Sequence, residues 1–223
     1  MKFGAVILAA GASSRMGRCK ATLDLGGVSA LEMLSTTLRE SGTAERIVTV
    51  AARPHLDEVK AEAQRLGLGC VINRAPEKGR TGSVQLGLEA VRDSDAAFIA
   101  PVDAPLASRA DVQSLKDEWW FARQKGGAHI AAIPTCEEKG GHPVLVAREA
   151  FGEIAGLAPD EPLRSVFSKD RSRVLRIRCS RGVIVNLDTE EDHRAAVEML
   201  KERAAIADQM KRFQTKPQQA PVR

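Results

Sequence analysis

The chain has 223 residues, 43% hydrophobic and 28% charged, a balance that supports a buried core and excludes the disordered and low-complexity classes. Aromatic residues make up only 4%, with no Tyr, which argues against a platform that stacks single-stranded nucleic acid. The net charge of +4 is concentrated at one end: Lys211, Arg212, Lys216 and Arg223 against Asp208 put +3 into residues 208–223 and leave +1 for the body. Overall charge is therefore no argument for a nucleic-acid partner.

The elements alternate. The continuous apolar run 3–9 predicts a strand covered on both faces. A helix follows over 29–41, with Ser29 as N-cap and Gly42 as its stop. Strand 47–51, helix 55–66, strand 70–73, helix 81–92, strand 96–102 and helix 108–124 complete a β-α-β-α-β-α-β-α half. The second half is less regular: strands 130–134, 144–147, 174–178 and 183–187, short helices 148–155 and 161–168, and a final helix 189–207. Alternating strands and helices imply an α/β fold, a parallel sheet with helices on both faces. We expect a single domain over 1–207, nucleotide-binding in its first half and acceptor-binding in its second, and a disordered basic tail over 208–223. No repeat, signal-peptide pattern or membrane-spanning apolar run is present, which predicts a cytoplasmic protein with no membrane partner. Cys19, Cys70, Cys136 and Cys179 form no C-x-x-C pair, so the sequence suggests neither a zinc site nor a redox motif.

In open α/β sheets, ligands bind beyond the carboxyl ends of the strands, which directs attention to residues 11–20 and 103–106. The first of these segments continues LAAGASSRMGRCK (8–20). Ala9, Ala10 and Gly11 let a ligand approach the backbone after Leu8. Gly11, Ser13 and Ser14 offer N–H and hydroxyl donors to phosphate oxygens. Arg15 and Lys20 add positive charge, Arg as a bidentate grip and Lys as a point charge. The segment fits neither a P-loop, since Ala21 follows Lys20, nor a G-x-G-x-x-G dinucleotide turn. Asp103, in PVDAPL, ends the fourth strand opposite this loop and suits Mg²⁺, which takes one or two carboxylates with phosphate oxygens. A turn residue ahead of Pro105 is the competing reading of Asp103.

Residues 8–20 resemble the L-A-A-G-x-S-S-R-M-G-x-x-K signature of the MobA-like nucleotidyltransferases, closest to the molybdenum cofactor cytidylyltransferase branch. Asn73, GRTGSVQLGL (79–88), PVDAPL (101–106), GHPVLV (141–146) and NLDTEED (186–192) also resemble family blocks, in family order. The resemblance implies a three-layer α-β-α fold of the nucleotide-diphospho-sugar transferase type with a mostly parallel, Rossmann-like sheet. It further implies Mg²⁺-dependent transfer of CMP from CTP to a phosphorylated acceptor, most simply molybdopterin, with a molybdoenzyme or its chaperone as recipient of the product. Arg15, Lys20 and Asp103 would be catalytic. Leu8 to Gly11, Ser13, Ser14, Asn73, Gly79 and Ser83 would bind the nucleotide. His142, Pro143 and Arg164 would bind the acceptor, and Asp188 would join Asp103 on the metal.

Each of these residues also has a plainer reading. Asp188 or Thr189 can simply cap the last helix. The glycines of 79–88 can serve helix packing, His142-Pro143 can set a rigid turn, and Arg164 can lie on a solvated helix face. Cys19 reads as a filler in the signature. Within Trp119-Trp120-Phe121, one or two rings should reach the core. Ala10 stands where guanylyltransferases of the same pathway typically carry Gly; its methyl narrows the floor and favours a pyrimidine. Where relatives often carry Lys in a Gly-Gly-Lys-Pro-Leu block, this chain reads Gly27-Val28-Ser29-Ala30-Leu31. The alternatives are a guanylyltransferase, a nucleotidyltransferase acting on a sugar or alcohol phosphate, and a non-catalytic chaperone that binds nucleotide or cofactor.

Overall fold

A computed structural model describes residues 1–42 and 45–214. Strand β1 (Phe3–Ala9) is fully apolar and lies at the centre of an eight-stranded sheet. It pairs in parallel with β2 (Arg46–Ala51) on one side and β4 (Ala96–Pro101) on the other, and β2 pairs in parallel with β3 (Gly69–Ile72). Beyond β4 the direction changes. Strand β7 (Val144–Ala147) runs antiparallel to β4 and to β5 (Ala131–Cys136), and the short β6 (Lys139–Gly140) is antiparallel to β5. Strand β8 (Val174–Arg178) pairs in parallel with β5.

The two-residue period of β1 divides the interior. Phe3, Ala5, Ile7 and Ala9 face the core beneath helices α1 (Ala30–Glu40), α2 (Leu56–Arg65), α4 (Arg109–Gln124) and α7 (Glu190–Gln214). Val6 and Leu8 face the other core, covered by α3 (Arg80–Ala90), α5 (Phe151–Ala155) and α6 (Arg164–Lys169). The three layers and the mostly parallel sheet are those expected from the alternation. Ser29 caps α1 as expected, its hydroxyl accepting from Glu32 N at 3.0 Å. Of the aromatic triplet, Trp119 is fully buried and donates to the His129 carbonyl, while Trp120 and Phe121 stay exposed.

Two expectations fail. Residues 183–187 form no strand. A 3-10 turn spans Arg181–Ile184, and extended chain leads on to Asp188. The cause is close packing: Gly182 lies so near Leu106 that a β-carbon there would fall 2.0 Å from the Leu106 carbonyl oxygen, and Arg203 bonds the same oxygen. The apolar side chains of Val183 and Leu187 enter the core without a strand partner. Residues 208–214, expected in a disordered tail, continue α7; residues 215–223 lie outside the described part of the chain.

Candidate active site

The carboxyl ends of the parallel strands open onto a cleft of about 390 Å³. Its wall is the backbone of Leu8, Ala9, Ala10, Gly11, Ala12 and Ser13, which leaves β1. The loop then tightens: Ser13 has φ +50°, and its carbonyl accepts from the Met16 and Gly17 amides. Met16 and Cys19 are buried beneath it and anchor the loop to the core. Opposite, the cleft is lined by Gly79, Arg80 and Ser83 at the start of α3. Gly79 begins that helix at φ +129°, and a β-carbon there would lie 2.2 Å from the Pro159 carbonyl oxygen, so only glycine brings this backbone up to the cleft. The amino end of α3 faces the cleft, a placement favourable to anionic groups.

Four side chains meet at one edge. Lys20, in the 3-10 turn Lys20–Thr22, donates to Asp188 Oδ1 at 2.8 Å and to Asp103 Oδ2 at 3.4 Å. Arg15 Nη2 reaches the same Asp188 oxygen at 2.9 Å. Asp103 comes from the end of β4 and Asp188 from the segment before α7. The Leu187 amide donates to the Asp103 carbonyl at 2.7 Å, which fixes the two acids side by side. The Lys20 ammonium hydrogen-bonded to Asp188 holds its carboxyl below the usual carboxylate range. Thr189 takes the cap: its hydroxyl accepts from Asp192 N, and Asp192 Oδ2 accepts from the Thr189 amide. The Asp188 side chain takes no part in this cap and pairs with Lys20 and Arg15 instead.

The two carboxylates gathered around one ammonium form a hard oxygen donor set, which fits a small divalent cation bound together with phosphate oxygens. Lys20, with Arg15 on Asp188, offsets the charge of the pair. The loop is also tied to α7. Arg18 forms a bidentate pair with Glu190 at 2.7 and 2.8 Å, and His193 Nε2 lies 2.6 Å from the Asp24 carbonyl. A carbonyl only accepts, so Nε2 carries the proton and Nδ1 accepts from Arg18.

Several expected residues sit differently. Asn73 does not line the cleft; its buried amide donates to Ser83 Oγ at 2.9 Å and its carbonyl accepts from Ala75 N, so it positions Ser83. Ser14 and Arg15 are exposed and outside the cleft lining. Of residues 103–106, Asp103 alone reaches the cleft, and the other three are buried. His142 precedes a cis peptide to the buried Pro143, and its Nδ1 is buried without a hydrogen-bond partner. Burial pushes this imidazole down to about 4, opposed by the charge of Asp103 and aided by that of Arg80. At neutral pH the ring can offer a hydrogen bond but no positive charge. Arg164 opens α6, exposed and away from the cleft lining. Arg53, His55, Pro76 and Glu77 line the cleft without having been singled out from the sequence. They follow β2 and β3, and the strand-end rule applied to those two strands is the signal that points to them.

Residues 5–174 match the family described as MobA-like NTP transferase domain. A molybdenum cofactor guanylyltransferase of Xanthomonas euvesicatoria pv. vesicatoria (strain 85-10) is 33% identical over 105 residues, 47% of this chain and 49% of that protein. The chain thus spans about half the length of this curated relative. The homologue of Mycobacterium tuberculosis Rv0371c from Mycobacterium sp. strain JC1 superposes with a TM-score of 0.73 at 25% identity, over 90% of this chain and 97% of that one. Rv0371c of Mycobacterium tuberculosis H37Rv, solved in complex with manganese, gives a TM-score of 0.70 at 21% identity, over 89% and 99% of the two chains. No helix among the described residues is long and apolar enough to cross a membrane.

Proposed function

This chain belongs to the MobA-like NTP transferase domain family, and from that premise we propose that it transfers CMP from CTP to a phosphorylated acceptor of the molybdopterin type, releasing pyrophosphate. The observation that carries the reading is Lys20 set between Asp103 and Asp188 at the edge of a cleft walled by the Leu8–Ser13 backbone. Asp103 and Asp188 would hold the divalent cation, Mg²⁺ in this reading, whose chemistry is to neutralise phosphate charge and orient the triphosphate.

The chain's own groups account for the rest. The small-residue loop and the amino end of α3 bind the phosphates through backbone N–H groups. Lys20 stabilises charge that grows on the leaving pyrophosphate, and Arg15, free to leave Asp188, adds to it from the solvent side. An oxygen of the acceptor phosphate forms the new bond to the α-phosphorus as the bond to the pyrophosphate oxygen breaks. That acceptor is already an anion, so no general base is required, and His142 contributes a hydrogen bond on the acceptor side.

The preference for CTP rests on Ala10, one of the residues lining the cleft. A second reading, GTP as donor, is favoured by the Xanthomonas relative, a molybdenum cofactor guanylyltransferase. A pyrophosphate-release assay crossing CTP, GTP and UTP with molybdopterin and common sugar phosphates separates these. The proposal expects the highest kcat/KM with CTP and molybdopterin. Preference for GTP moves the chain to the second reading, and turnover only with a sugar phosphate removes the molybdopterin assignment. Nucleotide binding without turnover on any acceptor would leave a binding module.

A further inference from the structure

Beside the phosphate loop lies a second group of potential ligands that nucleotidyl transfer does not use. Cys19 is the residue before Lys20 and is buried; His55 immediately precedes α2, and Glu58 follows one turn later on α2. The Cys19 thiol, a His55 ring nitrogen and a Glu58 carboxylate oxygen all lie within 4.8 Å of one another, and His55 Nδ1 and Glu58 Oε1 are 3.1 Å apart. Cys19 and His55 both line the cleft, while Glu58 faces solvent.

We propose that Cys19, His55 and Glu58 form a binding site for a thiophilic divalent cation of the Zn²⁺ class, distinct from the Asp103–Asp188 pair. Sulfur, imidazole and carboxylate together select zinc or cobalt over magnesium, which prefers oxygen ligands alone. Three protein ligands with a further position open to a cleft is the arrangement of zinc sites that exchange a ligand, whereas structural sites are closed by four. The spacing is wider than in a filled site. It closes by side-chain rotation of the exposed Glu58 toward Cys19 and His55 at the cleft.

The group is better suited to a metal than to a nucleophile. Burial holds the Cys19 thiol above its usual range, and the Glu58 charge pushes the same way, so without a cation the sulfur stays protonated. Cation binding replaces that proton on sulfur and releases it to water, so affinity rises with pH. The site ties the phosphate loop to α2 at the residue next to Lys20. The inference concerns cation binding and does not depend on which nucleotide or acceptor the enzyme uses.

The test is a Co²⁺ titration of the full chain under a non-thiol reductant, read from the thiolate-to-cobalt charge-transfer absorption. The site predicts a band that saturates at one Co²⁺ per chain, is displaced by Zn²⁺ and survives excess Mg²⁺. Cys19→Ser should abolish it. His55→Ala and Glu58→Gln should each weaken Co²⁺ affinity by about tenfold or more, at least what loss of an outer-shell partner costs at known metal sites. Cys70→Ser, which removes the exposed thiol, should leave the titration unchanged. No band in the folded wild type, a band that persists in Cys19→Ser or vanishes in Cys70→Ser, or displacement by Mg²⁺ would overturn the proposal. Should Cys19→Ser fail to fold, the His55 and Glu58 variants decide it, since wild-type affinity in both also overturns it.

Discussion

The two acids at the cleft edge reach the same place by different means. Asp103 is delivered by a central parallel strand: β4 pairs with β1 along its whole length, and Asp103 follows its end. Asp188 belongs to the other half of the chain, where antiparallel pairing takes over, and the strand that precedes it in sequence, β8, ends ten residues earlier at Arg178. It is placed by a 3-10 turn wedged against Leu106, by the Leu187 amide bonded to the Asp103 carbonyl, and by the Thr189–Asp192 cap. A strand end is rigid because the ladder on both sides holds it. A capped loop is only as fixed as its few hydrogen bonds. Damage to the supports should therefore reach Asp188 more readily than Asp103.

The largest effect expected is that of Asp103→Ala. It removes a carboxylate from a rigid position and should cut turnover by about 10³-fold or more, beyond the loss of a single stabilising donor, with an unchanged far-UV spectrum. Activity near wild type would take Asp103 out of the site. Next comes Lys20→Ala, the group both acids share. A drop in kcat of about 10²-fold or more with KM little moved would mark stabilisation specific to the transition state. A rise in KM alone would make Lys20 a binding residue only.

The pH dependence of folding tests the buried imidazole of His142. The His142 ring falls from 6.5 to about 4 on folding. As pH drops through that window the unfolded chain takes up a proton that the folded chain refuses, so stability falls, by up to roughly 3 kcal/mol. Denaturant midpoints above and below the window, without divalent ion, should show a shallower pH slope in His142→Gln. An identical slope in the two proteins would contradict the burial argument. The smallest effect expected is that of Thr189→Ala, about 1 kcal/mol of stability for a lost cap. Its activity should fall by more than that of Ser108→Ala, which removes the equivalent cap hydroxyl from α4, away from the cleft. Equal activities would mean that the cap does not position Asp188.

The same contrast explains what could be read from the residues. The first half is legible because its strands are continuous apolar runs and helices α1 and α4 carry serine caps, so the strand-end rule leads from Leu8 and Pro101 to Lys20 and Asp103. Residues 183–187 misled because an apolar run of five reads as a strand. What forbids one is the contact of Gly182 with Leu106, 76 residues away in sequence. Asn73 is expected at the nucleotide, but its amide is consumed by Ser83, a partner no motif shows. Cys19 looked inert because cysteine spacing alone offers no metal site. Only folding brings α2, with His55 and Glu58, against the residue before Lys20.

The measurement closest to the central claim is calorimetric titration of Mn²⁺ in the presence of CTP, comparing wild type with Asp103→Ala and Asp188→Ala. If the two acids gathered around Lys20 are the metal and triphosphate centre, wild type binds the pair together and both variants lose that coupling. Unchanged coupled binding of Mn²⁺ and CTP in either variant would contradict it.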